Sequence, residues 1–184
     1  MKEYEVKIPV KDLEEVEEVL KESGWSVIGH FREIDHYVDL RRCAGIPAER
    51  IAFRVRERCD LASGRCVGEI TYKGEPIESD VKAREEISVG VEDPGKLAEV
   101  FLRLGFELYR VSKVRKVMDS GGDVRIYLDD VEGLGRFIEV EMMNPPSKEE
   151  FFRRLNEVKE MLGLTGEENI TLSYLELILR RLKK

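Results

Sequence analysis

Alternation with period two, repeated in strand after strand with charge gathered on one side, constrains this chain more than any other feature. Near the start, Glu3-Tyr4-Glu5-Val6-Lys7 in an extended backbone sets Glu3, Glu5 and Lys7 on one face and Tyr4 and Val6 on the other. A single charged face is ordinary, because most strands bury one side and wet the other. Here it recurs. Arg54, Arg56 and Arg58 oppose Ile51, Phe53 and Val55, and Glu69, Thr71 and Lys73 oppose Ile70 and Tyr72. Lys82, Arg84, Glu86 and Ser88 share a face, as do Asp123, Arg125, Tyr127 and Asp129. Phe137, Glu139 and Glu141 oppose Ile138, Val140 and Met142. Only Val111 to Met118 is untidy, with Lys113 and Arg115 on one side and Lys116 on the other.

Strands are predicted at Glu3 to Ile8, Trp25 to Leu40, Arg50 to Cys59, Arg65 to Gly74, Val81 to Val91, Phe106 to Asp119, Asp123 to Val131 and Arg136 to Met143. Gly121 with Gly122 turns one hairpin, and Gly133 with Gly135 the next. Helices are predicted at Lys11 to Ser23, where Leu13, Val16, Val19 and Leu20 fall at helical spacing before Gly24, and at Pro94 to Leu104, Lys148 to Leu162 and Leu172 to Leu182.

Short connections make these eight strands antiparallel, and their charged faces hold too little apolar surface for the core of a sandwich. The economical fold is α+β: an eight-stranded antiparallel β-barrel, closed or nearly so, with apolar faces outward under the helices and charged faces toward the lumen. Such a barrel encloses room for about one small ligand. At 184 residues and 42% hydrophobic content the chain suits a single domain spanning 1–184.

A net charge of -7 argues against nucleic acid as a partner. No membrane span or signal peptide is expected, and a cytoplasmic location follows. Cys43, Cys59 and Cys66 show no zinc spacing, so reduced thiols are the default, with a Cys59 to Cys66 bridge across a hairpin mouth as the minority alternative.

The inward charges specify a cargo. Lys7, Arg54, Arg56, Lys73, Arg84, Lys113, Arg115 and Arg125 form a cage for a polyanion rich in oxygens, which guanidinium forks bond in pairs. Glu3, Glu5, Asp129, Glu139 and Glu141 would repel that polyanion if left bare. Hard Mg²⁺ or Mn²⁺ on carboxylate oxygens resolves the conflict, in the manner usual for phosphoryl transfer.

These residues resemble the CYTH superfamily, the class IV adenylyl cyclase and thiamine triphosphatase group also called triphosphate tunnel metalloenzymes. EYEVK (Glu3 to Lys7) is similar to its ExExK signature. The likeness continues in order through DHYVD (Asp35 to Asp39), AFRVRE (Ala52 to Glu57), TYKG (Thr71 to Gly74), REE (Arg84 to Glu86), KVRK (Lys113 to Lys116) and YLDDVEGLGRFIEVE (Tyr127 to Glu141). The last two blocks look closest to the class IV cyclases. The resemblance implies a tunnel binding a nucleoside triphosphate or other triphosphate with divalent metal. Carried over by position, Glu3, Glu5, Glu139 and Glu141 hold metal with Asp129 assisting, the eight basic residues grip phosphates, and Glu3, Glu5, Lys7, Glu139 and Glu141 serve catalysis. The chain departs from the pattern at Thr171, Leu172 and Ser173, where many members carry a base, which counts against full hydrolase competence.

Three activities are compatible with this reading: a cyclase making cyclic AMP and pyrophosphate from ATP, a triphosphatase on inorganic, nucleoside or thiamine triphosphate, and a non-enzymatic triphosphate binder. An apolar helix face or strand edge leaves room for a homodimer. Arg58 reads as a rim residue, Asp39 as either an arginine partner or a metal neighbour, and Tyr174 as either a cap on one tunnel mouth or core.

Overall fold

A computed structural model describes residues 3–41, 45, 51–74 and 85–182. The elements are β1 (Glu3–Pro9), α1 (Leu13–Glu22), β2 (Ser26–Val38), β3 (Ala52–Asp60), β4 (Cys66–Lys73), β5 (Glu86–Val91), α2 (Pro94–Arg103), β6 (Leu108–Asp119), β7 (Val124–Val131), β8 (Gly135–Met143), α3 (Lys148–Met161) and α4 (Tyr174–Leu182). The eight strands form one antiparallel sheet in the order β1-β8-β7-β6-β2-β3-β4-β5. The strand predicted from Val81 is described from Glu86 onward, and residues 81–84, Arg84 among them, lie outside the described residues.

The main core sits outside the curve of the sheet. Val6, Ile8, Ile126, Leu128, Ile138, Val140 and Met142 pack against Val16 and Leu20 of α1 and Phe151, Leu155 and Val158 of α3. Each fully buried side chain of this size contributes about 1.5–3 kcal/mol. Local signals set the helices in place. Asp12 caps α1 by accepting from the amides of Glu14 (2.8 Å) and Glu15 (3.3 Å), and the chain leaves through Gly24 at φ 87°. Lys116, the residue that spoiled the alternation of β6, faces outward and pairs with Glu17 of α1.

A second apolar cluster fills one end of the lumen. Tyr37, Ala52, Val111, Val131 and Phe137 meet Tyr174 and Leu175 of α4. The segment before α4 is tied to the edge of β1, where Lys7 and Ile170 exchange backbone hydrogen bonds of 2.9 and 2.8 Å.

Among the described residues the edge strands β1 and β5 share no backbone ladder, so hydrogen bonds do not close the barrel. The sheet curls until side chains of the two edges meet, with Glu3 of β1 hydrogen-bonded to Glu86 of β5. The default of reduced thiols is overturned for one pair: Cys59 and Cys66 form a disulfide. They stand opposite each other in the β3–β4 register with Cα atoms 4.0 Å apart, a distance set by the turn between them.

Candidate active site

Strand register assembles the site. Lys7 lies beside Glu139 and Glu139 beside Tyr127, while Glu5 lies beside Glu141. Arg56 lies between Asp35 and Glu69, and Arg115 beside Asp129. The inward side chains surround a cavity of about 230 Å³. Among the described residues its lining carries seven basic residues (Lys7, Arg54, Arg56, Arg58, Lys73, Lys113, Arg115) and seven acidic ones (Glu3, Glu5, Asp35, Glu69, Glu86, Glu139, Glu141). Both signs of charge are therefore interleaved around the space, and Glu33 and Asp129 add negative charge behind it.

Most of the cations are aimed by a buried layer of carboxylates. Arg56 clasps Asp35 through Nε (2.6 Å) and Nη2 (2.7 Å) and reaches Glu33 at 3.2 Å. Glu33, 1% exposed, also holds Arg58 (2.6 Å) and Lys113 (3.2 Å). Arg115 donates from Nε to Asp129 (2.6 Å) and from Nη2 to Glu139 (2.9 Å), and Lys7 bridges Glu5 (2.7 Å) and Glu139 (3.0 Å). Burial by itself would raise the Asp35 carboxyl, but Arg56 and Arg54 hold it down at about 2. The same opposition, with Arg56 and Lys113 as the main attractors, keeps Glu33 well below the usual carboxylate range. Lys7 is depressed by burial yet ends above its ordinary value because Glu139 and Glu5 flank it. Lys113 ends below its ordinary value, since burial and the neighbouring Arg115 outweigh Asp129 and Glu33.

Arg54 is only partly satisfied. Its Nη2 donates to Glu69 (3.0 Å) and Thr71 (3.3 Å), but its buried Nε has no partner and stands 3.9 Å from Asp35. An orphaned buried donor costs about 1–3 kcal/mol, a cost that an incoming anion oxygen would remove.

Glu3, Glu5 and Glu141 form the opposing acidic corner. Burial and the charge of Glu5 push Glu3 up to about 9, so it is protonated at neutral pH and hydrogen-bonds Glu141 and Glu86. Burial raises Glu141 as well, with Glu139 and Glu5 adding to the effect. Carboxylates crowded until one retains its proton are short of cationic charge, and oxygen donors of this kind suit a hard divalent ion. Among the described residues, no three acid, histidine or cysteine side chains are already gathered into a coordination shell. A metal would have to displace that proton and draw the carboxylates inward.

The residues singled out from sequence have separate fates. Glu3, Glu5, Lys7, Arg54, Arg56, Lys73, Lys113, Arg115, Glu139 and Glu141 all line the cavity. Asp129 does not: it is completely buried behind Arg115, and Tyr174 donates to its Oδ2 at 2.7 Å. Arg125 does not reach the cavity either, because it is exposed and pairs with Asp119 at 3.2 Å. Asp39 proves to be an arginine partner, bonded to Arg41. Tyr174 caps the lumen and packs at once, its ring 5.4 Å from Phe137 with the Lys7 and Lys113 ammonium groups 5.2 and 5.1 Å away. Sequence reasoning missed Glu33 and Asp35. Both fall on alternate positions of β2, so the period-two test that exposed the other rows would have found them. Arg58, held by Glu33 with its side chain 38% exposed, lines the cavity at its rim.

A curled antiparallel sheet around a lumen lined by both charge signs defines a tunnel-type fold. The chain belongs to the CYTH domain family, whose sequence profile matches residues 1–174. A protein of Methanocaldococcus jannaschii, provisionally named an adenylate cyclase, is 33% identical over 181 residues, covering 96% of this chain and 98% of that protein. A solved structure from Pyrococcus horikoshii superposes with a TM-score of 0.77 at 31% identity, covering 97% of this chain and 99% of that one. A Hippeastrum protein, described as a candidate adenylyl cyclase with a dominant triphosphatase activity, shares the fold with a TM-score of 0.71 at 18% identity, covering 98% of this chain and 96% of that one.

Proposed function

We propose that this protein is a divalent-metal-dependent enzyme acting on a triphosphate held inside the curled sheet, and that with ATP it works as a class IV adenylyl cyclase, releasing cyclic AMP and pyrophosphate. The observation carrying this reading is the opposition, across one cavity of about 230 Å³, of a guanidinium and ammonium wall with an orphaned Arg54 Nε to the carboxylate corner of Glu3, Glu5 and Glu141. The provisional name of the relative at 33% identity agrees with it.

In this reading Arg54, Arg56, Lys73, Lys113 and Arg115 bind the phosphate oxygens, and Lys7 sits where the anion row and the cation row meet. Held among Glu3, Glu5 and Glu141, Mg²⁺ or Mn²⁺ would supply the positive charge that the carboxylates and the triphosphate jointly lack. Glu139 orients Lys7 and Arg115, and Asp129 fixes Arg115 from behind. The ribose 3′ hydroxyl gives up its proton to water as its oxygen attacks the α-phosphorus, the α–β phosphoanhydride bond breaks, and the arginines take up the charge that develops on the departing pyrophosphate. Fixed, partly desolvated donors are effective there because they need no reorganisation during the reaction. The cargo is a small anion, so neither nucleic acid nor a membrane forms part of the reading; no helix among the described residues is long and apolar enough to cross one.

A triphosphatase is the second reading, favoured by a cavity wall made mostly of ionic side chains, which grip phosphates without needing a nucleobase. Incubating the pure protein with ATP or inorganic triphosphate and Mg²⁺ or Mn²⁺ separates the two. Cyclic AMP with pyrophosphate supports the cyclase, free phosphate supports the hydrolase, and unchanged substrate in every combination refutes both.

A further inference from the structure

Among the described residues three tyrosines line the ionic cavity, and one of them takes no part in the apolar packing. Tyr37 and Tyr174 belong to the cluster that fills one end of the lumen, whereas Tyr127 is in neither of the two clusters. A half-buried aromatic ring set among ionised side chains and outside the core needs another explanation.

Strand register supplies it. Arg115 of β6 stands opposite Asp129 of β7, so Tyr127, two residues earlier on the same face, lies diagonally across from Arg115, within reach of an aromatic side chain. Its ring covers the guanidinium, with the Arg115 Cζ 4.1 Å from the ring centroid. Acids take two other sides of Arg115. Nε and Nη2 form a fork on Asp129, and Nη2 also donates to Glu139, the register partner of Tyr127 on β8. Three of the five guanidinium N–H groups are thereby spent, and among the described residues none accepts from the two on Nη1. A fork fixes one edge of a guanidinium but leaves its plane free to tilt about that edge, and a ring against the face removes the tilt. The tyrosine hydroxyl tethers the ring, donating to Glu141 and accepting from Arg125.

We infer that Tyr127 is a positioning residue that acts through Arg115, holding the guanidinium plane so that Nη1 faces the phosphate oxygens. This rests on the reading of the cavity as a triphosphate site and adds to it a side chain that itself grips no phosphate.

Tyr127→Phe keeps the ring and removes the hydroxyl, whereas Tyr127→Leu removes both, with Tyr127→Met in its place if circular dichroism shows the leucine variant unfolded. Calorimetric titration with inorganic triphosphate at a fixed Mg²⁺ concentration reads affinity. The aliphatic variant should bind at least tenfold more weakly than the parent, and the Phe variant within threefold of it. In an Arg115→Lys background, which keeps a charge beside Asp129 but has no plane to hold, losing the ring should cost less than a further twofold. An aliphatic variant within twofold of the parent, a Phe variant as weak as the aliphatic one, or a loss undiminished in the lysine background overturns the inference while leaving the triphosphate site standing. A parent protein that binds no triphosphate overturns both.

Discussion

Replacing Asp35 with asparagine tests whether a buried carboxylate layer aims the cationic cage. Asp35 is 2% exposed, accepts two hydrogen bonds from Arg56 and lies 3.9 Å from Arg54. Removing one partner of a buried pair costs about 3–5 kcal/mol because the other charge is left uncompensated. Arg56 keeps Glu33 at 3.2 Å, which places the loss near the lower end, at about 3 kcal/mol. For a chain of this length that corresponds to a fall in Tm of roughly 6–12 °C. The pH dependence supplies an independent check. The folded carboxyl at about 2, against 3.8 without the fold, is lowered, so its contribution is fully present above pH 3.8 and is lost as pH falls through 2. That shift corresponds to between about 2 and 3 kcal/mol. Urea titrations of parent and Asn variant should therefore differ most at neutral pH and converge between pH 4 and 2. Arg56, freed from Asp35, should also make the thermal shift caused by inorganic triphosphate larger in the variant than in the parent. A Tm change below 2 °C, or a stability gap that does not narrow in acid, would refute the argument.

Glu3, held at about 9 against 4.5, has the opposite sign: its contribution is fully present below pH 4.5 and is lost as pH rises through 9. Mg²⁺ binding at pH 7 should release about one proton, seen as a buffer-dependent binding heat that Glu3→Gln removes; no buffer dependence in the parent counts against the acidic corner as the metal site. Glu141→Ala should reduce metal-dependent turnover by about 100-fold or more while the circular dichroism spectrum is unchanged, since it relieves repulsion from Glu139 and Glu5. Retained turnover would remove Glu141 from the site. Reducing the Cys59–Cys66 disulfide, which closes a loop of sequence separation 7, should cost about 2–3 kcal/mol in denaturant titrations. An unchanged midpoint would show that the hairpin holds its register unaided.

The chain's linear order was enough to determine the elements, their antiparallel sense and which face of each strand is ionic. Period-two alternation is a local property of extended backbone, so Glu3, Glu5 and Lys7, or Glu139 and Glu141, declare their shared side without reference to the rest of the molecule. Pairing was another matter. Whether a given arginine meets a ligand or a carboxylate depends on register between strands distant in sequence, and the fold alone placed Arg56 on Asp35 and drew Asp129 behind Arg115, away from the cavity. Arg125 shares the inward face of β7 yet lies out in solvent beside Asp119, because it is only the second residue of the strand, next to the turn that leads into it. The disulfide depended likewise on a turn that brings two Cα atoms to 4.0 Å. Tertiary structure also decided how the lumen ends. Tyr174 caps it because a backbone bridge between Ile170 and Lys7 carries α4 across the sheet's edge, a contact between residues far apart in the chain.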